Sequence, residues 1–150
     1  MRHMRWLTLD GPDDVCTQCG GRIAWDAGEN VVGDELRWFV ESRCTDCDDS
    51  FLECGKGFIP ARELVMELSG RWRLRVDQGS DVGVPVLRFL RRVYGLTIDE
   101  ARQRRDEFVG SGLSGTRGEM VWLRQKMAAL GVTATITMET PGTQAELPER

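Results

Sequence analysis

Arg71-Trp-Arg-Leu-Arg-Val76 alternates basic and apolar side chains, so Trp72, Leu74 and Val76 fall on one face of a strand and Arg71, Arg73 and Arg75 on the other. Val132-Thr-Ala-Thr-Ile-Thr-Met138 closes the same stretch with a second strict alternation. Between them the apolar spacing becomes helical. Val86, Phe89, Leu90, Val93 and Tyr94 share one broad face with Leu87 at its margin, while Arg88, Arg91 and Arg92 gather on the opposite one. A second helix starts near Ile98. A third opens at Thr116-Arg-Gly-Glu119, a capping-box pattern, carries Met120, Leu123, Met127 and Leu130 as its core stripe, and stops at Gly131. Strand, helix, helix, helix, strand is the order of a two-layer α/β sandwich with helices on one face of a small sheet. The other sheet face then holds Arg71, Arg73, Arg75, Thr133, Thr135 and Thr137. The acidic first half of the chain is the expected source of its countercharge.

The run Val84-Pro-Val-Leu-Arg-Phe-Leu-Arg-Arg-Val-Tyr-Gly-Leu-Thr-Ile-Asp-Glu-Ala-Arg102, followed by Leu123-Arg-Gln-Lys-Met-Ala-Ala-Leu-Gly-Val132, resembles the C-terminal domain of the bacterial ribosomal stalk protein. The resemblance spans residues 71 to 138 and centres on the Gly-Leu-x-(Leu/Ile)-x-Glu-Ala-(Lys/Arg) pattern at Gly95 to Arg102. It implies a surface that docks translational GTPases, with basic positions at Arg88, Arg91 and Arg102, an apolar one at Ile98 and an acidic one at Glu100. Arg92 extends the same basic face. Thr97 stands where that family has a second glycine, and Arg104 and Arg105 stand where its pattern is apolar. Arg105 lies in line with Ala101 and Phe108 and so intrudes on the stripe that should be buried.

A chain of 150 residues, 41% hydrophobic and 29% charged, has the composition of a globular protein with room for one domain or two small ones. No apolar run approaches the ~18 residues of a membrane span, and the start lacks the charged-then-apolar pattern of a secretory signal. The cytoplasm is the expected compartment, with no membrane partner. The net charge of -4 conceals an asymmetry: residues 1–70 carry 7 basic and 14 acidic side chains, and residues 71–130 carry 12 and 7. Opposite halves of this kind either pack on each other or present their charge to a partner.

Cys16-Thr-Gln-Cys19-Gly-Gly and Cys44-Thr-Asp-Cys47-Asp are two Cys-x-x-Cys hooks, each able to offer two thiolates to one tetrahedral ion. Arg22-Ile-Ala-Trp-Asp and Leu36-Arg-Trp-Phe-Val-Glu read as strands, with Gly28 to Asp34 as the turn that returns the second hook to the first. Disulfides do not suit the expected compartment, and redox hooks come singly beside a βαβ unit. The pattern therefore predicts a zinc ribbon holding one structural Zn2+ on Cys16, Cys19, Cys44 and Cys47. Four cysteines fill every coordination position and leave none for a catalytic water. Nucleic acid is a poor partner for this module, because phosphate contacts need Lys and Arg, whereas the module carries Asp10, Asp13, Asp14, Asp26, Glu29, Asp34, Glu35, Asp46, Asp48 and Asp49. Trp25, Trp38 and Phe39 are expected to form its small core. Cys54 is expected to be half-buried on a third strand, and the single histidine, His3, leaves it without an obvious base.

The expected organisation is a zinc ribbon at 1–54, a linker helix within 55–70 opened by Pro60 and stopped by Gly70, the stalk-like domain at 71–138 and a disordered tail at 139–150. The fold class is α+β. With no phosphate loop, nucleophile–base pair or open metal site in view, the expected function is a non-enzymatic module that docks a protein partner through Arg88, Arg91, Arg92, Ile98, Glu100 and Arg102. Two rival readings are an immunity protein or antitoxin whose acidic ribbon neutralises a basic toxin, and a transcription or translation accessory factor.

Overall fold

The computed structural model describes residues 15–60 and 62–141. His3 and the part of the expected tail beyond residue 141 lie outside the described residues. The fold is α+β, with two small antiparallel sheets in two compact units that divide between Val65 and Met66.

The first unit is a three-stranded antiparallel sheet, β1 (Ile23–Val32), β2 (Glu35–Cys44) and β3 (Ser50–Lys56) in that order, followed by helix α1 (Arg62–Ser69). The boundary between the units falls inside α1. The hairpin between β1 and β2 is tighter than expected. Val32 pairs with Glu35, so the turn is Gly33-Asp34 alone, with Gly33 left-handed at φ 65°. Gly28, expected in that turn, lies within β1 opposite Phe39. A Cβ on Gly28 would meet the Phe39 ring at 2.5 Å. The aromatic ring thus covers the glycine and supplies the packing that its missing side chain cannot. Gly55 and Trp38 repeat the device on the opposite face.

Ala27, Val40, Ile59 and Val65 form the core of this unit, with Trp25, Trp38, Phe51 and Leu64 packed against it. Phe39 does not join them. Consecutive residues of a strand point to opposite faces, so with Trp38 turned inward Phe39 faces out and is 36% exposed.

The second unit runs β4 (Arg71–Val76), α2 (Val84–Tyr94), α3 (Ile98–Val109), β5 (Leu113–Gly115), α4 (Arg117–Ala129) and β6 (Ala134–Thr140), with β4 central between antiparallel β5 and β6. β5 is an addition to the expected order, and its three residues are too few to show a period. Leu74, Val86, Phe89, Leu90, Phe108, Leu113, Met120, Leu123, Met127 and Val132 make one continuous core. Leu130, expected in the stripe, is 38% exposed because it caps the end of α4, and Val132 is buried after the turn instead.

The two Thr-x-x-Glu patterns behave differently. At α4, Thr116 Oγ1 accepts the Glu119 amide at 3.1 Å, but the Glu119 carboxylate accepts the Tyr94 hydroxyl at 3.3 Å. At α3 both halves of the box form: Thr97 Oγ1 accepts from Glu100 N at 3.2 Å, and Glu100 Oε2 accepts from Thr97 N at 2.7 Å. Thr97→Ala should therefore lower the unfolding free energy of this unit by about 1 kcal/mol, readable as a shifted urea midpoint with an unchanged slope.

Arginines that looked misplaced have local partners. The Arg104 guanidinium lies over the Tyr94 ring, 5.0 Å from its centroid. Half-buried Arg105 reaches Asp106 at 3.4 Å. On the open sheet face, Arg73 donates to Glu139 Oε1 at 2.6 Å and to the Ser111 carbonyl at 2.7 Å, while Ser114 Oγ donates to Glu139 Oε2 at 2.7 Å. The countercharge for Arg73 thus comes from its own unit. Glu139 and Thr140, expected in the tail, belong to β6, where a bulge opposite Arg71 and Trp72 places Glu139 between the paired Met138 and Thr140. The Arg73 hydrogen bond, followed by that of Ser114, holds the Glu139 carboxyl below its ordinary pKa.

Candidate metal centre

The register of β1 against β2 assembles the four cysteines. Ile23, which starts β1 just after the first hook, pairs with Cys44, which ends β2 and starts the second. The two knuckles share one plan. Cys16 N–H donates to the Gly21 carbonyl at 2.7 Å, and Cys44 N–H donates to the Asp49 carbonyl at 2.9 Å. In each hook the amides two residues on turn back toward sulfur: Gln18 N to Cys16 Sγ at 3.4 Å, Gly21 N to Cys19 Sγ at 3.3 Å, and Asp46 N to Cys44 Sγ at 3.4 Å. The Asp49 amide does the same for Cys47. Four amide donors aimed at four sulfurs favour thiolates.

Glycine is needed at two points. Gly20 is left-handed at φ 74° and closes the first knuckle. A Cβ on Gly21 would lie 2.4 Å from Asp46 Oδ2 and 2.8 Å from Asp46 Cβ, so only glycine lets the knuckles approach. Thr45 N–H and Oγ1 both donate to the Arg22 carbonyl, at 2.9 and 3.1 Å, and tie the hooks together.

The donor set fits a single structural Zn2+. A regular tetrahedron with Zn–S of about 2.3 Å separates its sulfurs by about 3.8 Å. The Cys16–Cys47 and Cys19–Cys44 separations are 3.7 and 3.5 Å, and all four sulfurs lie within 4.8 Å of one another. Soft thiolates in a closed set of four suit zinc in a structural role.

Without a cation the cluster holds protons unevenly. The Asp46 amide, helped by that of Cys47 and opposed by burial, brings Cys44 down to about 7. Cys47 is pushed up to about 12: the Asp49 amide pulls it down, but burial and the shared hydrogen bonds to Cys19, Cys44 and Cys16 outweigh it. Cys19 is raised too, against the Gly21 amide, chiefly by its sulfur contact with Cys44. A metal ion binding the cluster must therefore displace protons, those of Cys47 and Cys19 being held more firmly than that of Cys44.

The residues expected to dock a partner lie on α2 and the start of α3. Arg88, Arg91 and Arg92 are exposed, and Ile98 is 48% exposed. Arg91 Nε donates to the Leu96 carbonyl at 3.3 Å, which places it against the turn between the helices. Arg102 pairs with Asp99 at 3.4 Å. Glu100 is engaged in the α3 capping box, and the Thr97 amide holds its carboxyl below the ordinary range. Cys54, expected half-buried, lies on β3 and is exposed. Among the described residues no helix is long and apolar enough to cross a membrane.

No family model, curated protein or solved structure matches this chain.

Proposed function

We propose that the chain is a non-enzymatic, zinc-stabilised module that docks an acidic protein surface on α2 and the turn into α3. One observation carries this reading. Arg88 and Arg92 are exposed and make no ion pair among the described residues, and the nearby turn presents Ile98 to solvent. A basic face edged by an exposed apolar side chain suits a protein partner, with charge steering encounter and the apolar contact slowing release. The resemblance of residues 71–138 to the ribosomal stalk domain supports the same surface and suggests a GTPase-like partner. In that reading Ile98 and Arg102 make contacts, and Glu100 sets the turn through its cap on Thr97.

The acidic knuckle favours a second reading. Asp46, Asp48 and Asp49 flank a site that carries a formal charge of about -2 with zinc bound, as a neutraliser of a basic toxin would require. The two readings separate in one affinity capture with the zinc-loaded chain and an Arg88→Glu/Arg92→Glu variant, which spares the Arg91–Leu96 bond. Loss of a specific partner in the variant is the result expected for docking on α2. Full retention of every partner contradicts it and moves the contact to the ribbon.

A further inference from the structure

The outward face of the ribbon sheet carries a charge pattern that the metal centre and the α2 surface do not use. Along β2 the outward residues are Glu35, Arg37, Phe39, Glu41 and Arg43, reading acid, base, aromatic, acid, base. Reversed end to end, the column reads base, acid, aromatic, base, acid, which opposes the original sign for sign at every charged position. A strand column with this antisymmetry is complementary to itself.

We propose that this face is the interface of a homodimer, in which two copies pack sheet against sheet with β2 antiparallel across β2 of the second copy, around a two-fold axis through Phe39. The arrangement sets Glu35 against Arg43 and Arg37 against Glu41 of the other copy, each pair occurring twice. An isologous contact needs a self-complementary patch, and the parallel alternative would set like charges against each other along the whole column.

On the flanking strands the same reversal brings no like charges together. Asn30 on β1 and Lys56 on β3 share the row of Arg37, and Asp26 and Leu52 share the row of Glu41. Reversal therefore sets the Asn30 amide against the Asp26 carboxylate and the Lys56 alkyl stem over Leu52, which is 63% exposed in the single chain. The row through the axis is Gly28, Phe39 and Cys54. The Phe39 ring lies over Gly28, which lets the two rings meet at the centre. The charges are already paired within one copy, Glu35 with both Arg37 and Lys56 and Glu41 with Arg43, each at 3.0 Å. Dimerisation shares these groups across the interface, so they fix register and orientation while Phe39 and Leu52 supply apolar contact. A face of about 30 by 14 Å is at the small end of specific interfaces, which makes this a reversible dimer with a dissociation constant on the order of micromolar.

The test uses the full zinc-loaded chain in sedimentation equilibrium across concentration, with zinc content and circular dichroism confirming that each variant is folded. The wild-type chain should show a monomer–dimer equilibrium. Arg37→Glu/Arg43→Glu makes the column wholly acidic, and Glu35→Arg/Glu41→Arg makes it wholly basic. Each variant alone should dissociate at least about tenfold more readily, and an equimolar mixture should recover a heterodimer. A short bismaleimide linker should join two wild-type chains through Cys54, which lies on the axis row, and should fail with Cys54→Ser. A wild-type chain that stays monomeric at every concentration overturns the proposal. So does a dimer indifferent to the like-charge variants, or two folded variants that ignore each other.

Discussion

Chelation of the metal, or Cys44→Ala, should unfold the first unit while the second unit stays folded. Among the described residues the apolar cluster of the first unit is small, Ala27, Val40, Ile59 and Val65, with Leu36 buried besides, and a domain this small rarely gains enough from burial alone. A structural zinc supplies an apparent ~10–16 kcal/mol at neutral pH, comparable with or larger than the whole stability of a typical domain. The register that closes the sheet at Ile23 and Cys44 is also the one that assembles the sulfurs, so metal and sheet form together. Amide resonances of residues 23–56 should collapse on chelation while those of residues 84–129 keep their dispersion. Acid should act in the same direction. Metal-bound cysteines are thiolates, and in the free cluster Cys44 titrates at about 7 while Cys19 and Cys47 hold their protons to higher pH. Each step down in pH therefore favours the metal-free state, and zinc affinity should fall steeply from neutral to mildly acid solution. A first unit that kept its dispersion without metal would show that the cysteines do not hold it.

Phe108→Ala should cost the second unit about 3–5 kcal/mol, a large part of the stability of a domain of this size. Phe108 is fully buried in the core with Leu74, Leu90 and Leu113. Its α3 offers little other apolar anchorage: Ala101 is the only other buried residue of that helix. Truncation leaves a cavity bounded by separate elements, which cannot collapse into it together. Urea unfolding followed by circular dichroism should show a lower midpoint for the second unit, with the zinc stoichiometry of the first unit unchanged. A loss below about 1 kcal/mol would mean that α3 is anchored by something other than Phe108.

Much of this architecture is legible in the chain because it rests on local periodicity. The hook spacing places two thiolates per turn, the alternation at Arg71 to Val76 separates charge from core, and the α2 stripe names Val86, Phe89 and Leu90. The remainder depends on residues distant in sequence. Gly28 resembles a turn until Phe39 is known to lie over it from the neighbouring strand. Glu139 resembles a tail until Arg73 and Ser114 are seen to grip it. β5 is too short for a pattern, yet it supplies Leu113 to the core. Thr97 stands out in the sequence as a departure from the stalk pattern, while Thr-x-x-Glu at the same place already specifies the cap found there. The antisymmetric column of β2 is also visible in sequence, but its place is known only once the strand is central and Arg37, Phe39 and Arg43 are found exposed on one face.

One ion held by four particular sulfurs is the centre of this molecule, and substitution with Co2+ tests this. Titration of the reduced, metal-free chain should saturate at one ion per chain, with the intense visible bands of tetrahedral thiolate coordination. Cys54→Ser should leave that spectrum unchanged, and Cys47→Ser should weaken it. A weak octahedral spectrum, or one that vanishes with Cys54→Ser, would contradict the assignment of Cys16, Cys19, Cys44 and Cys47 as the closed ligand set.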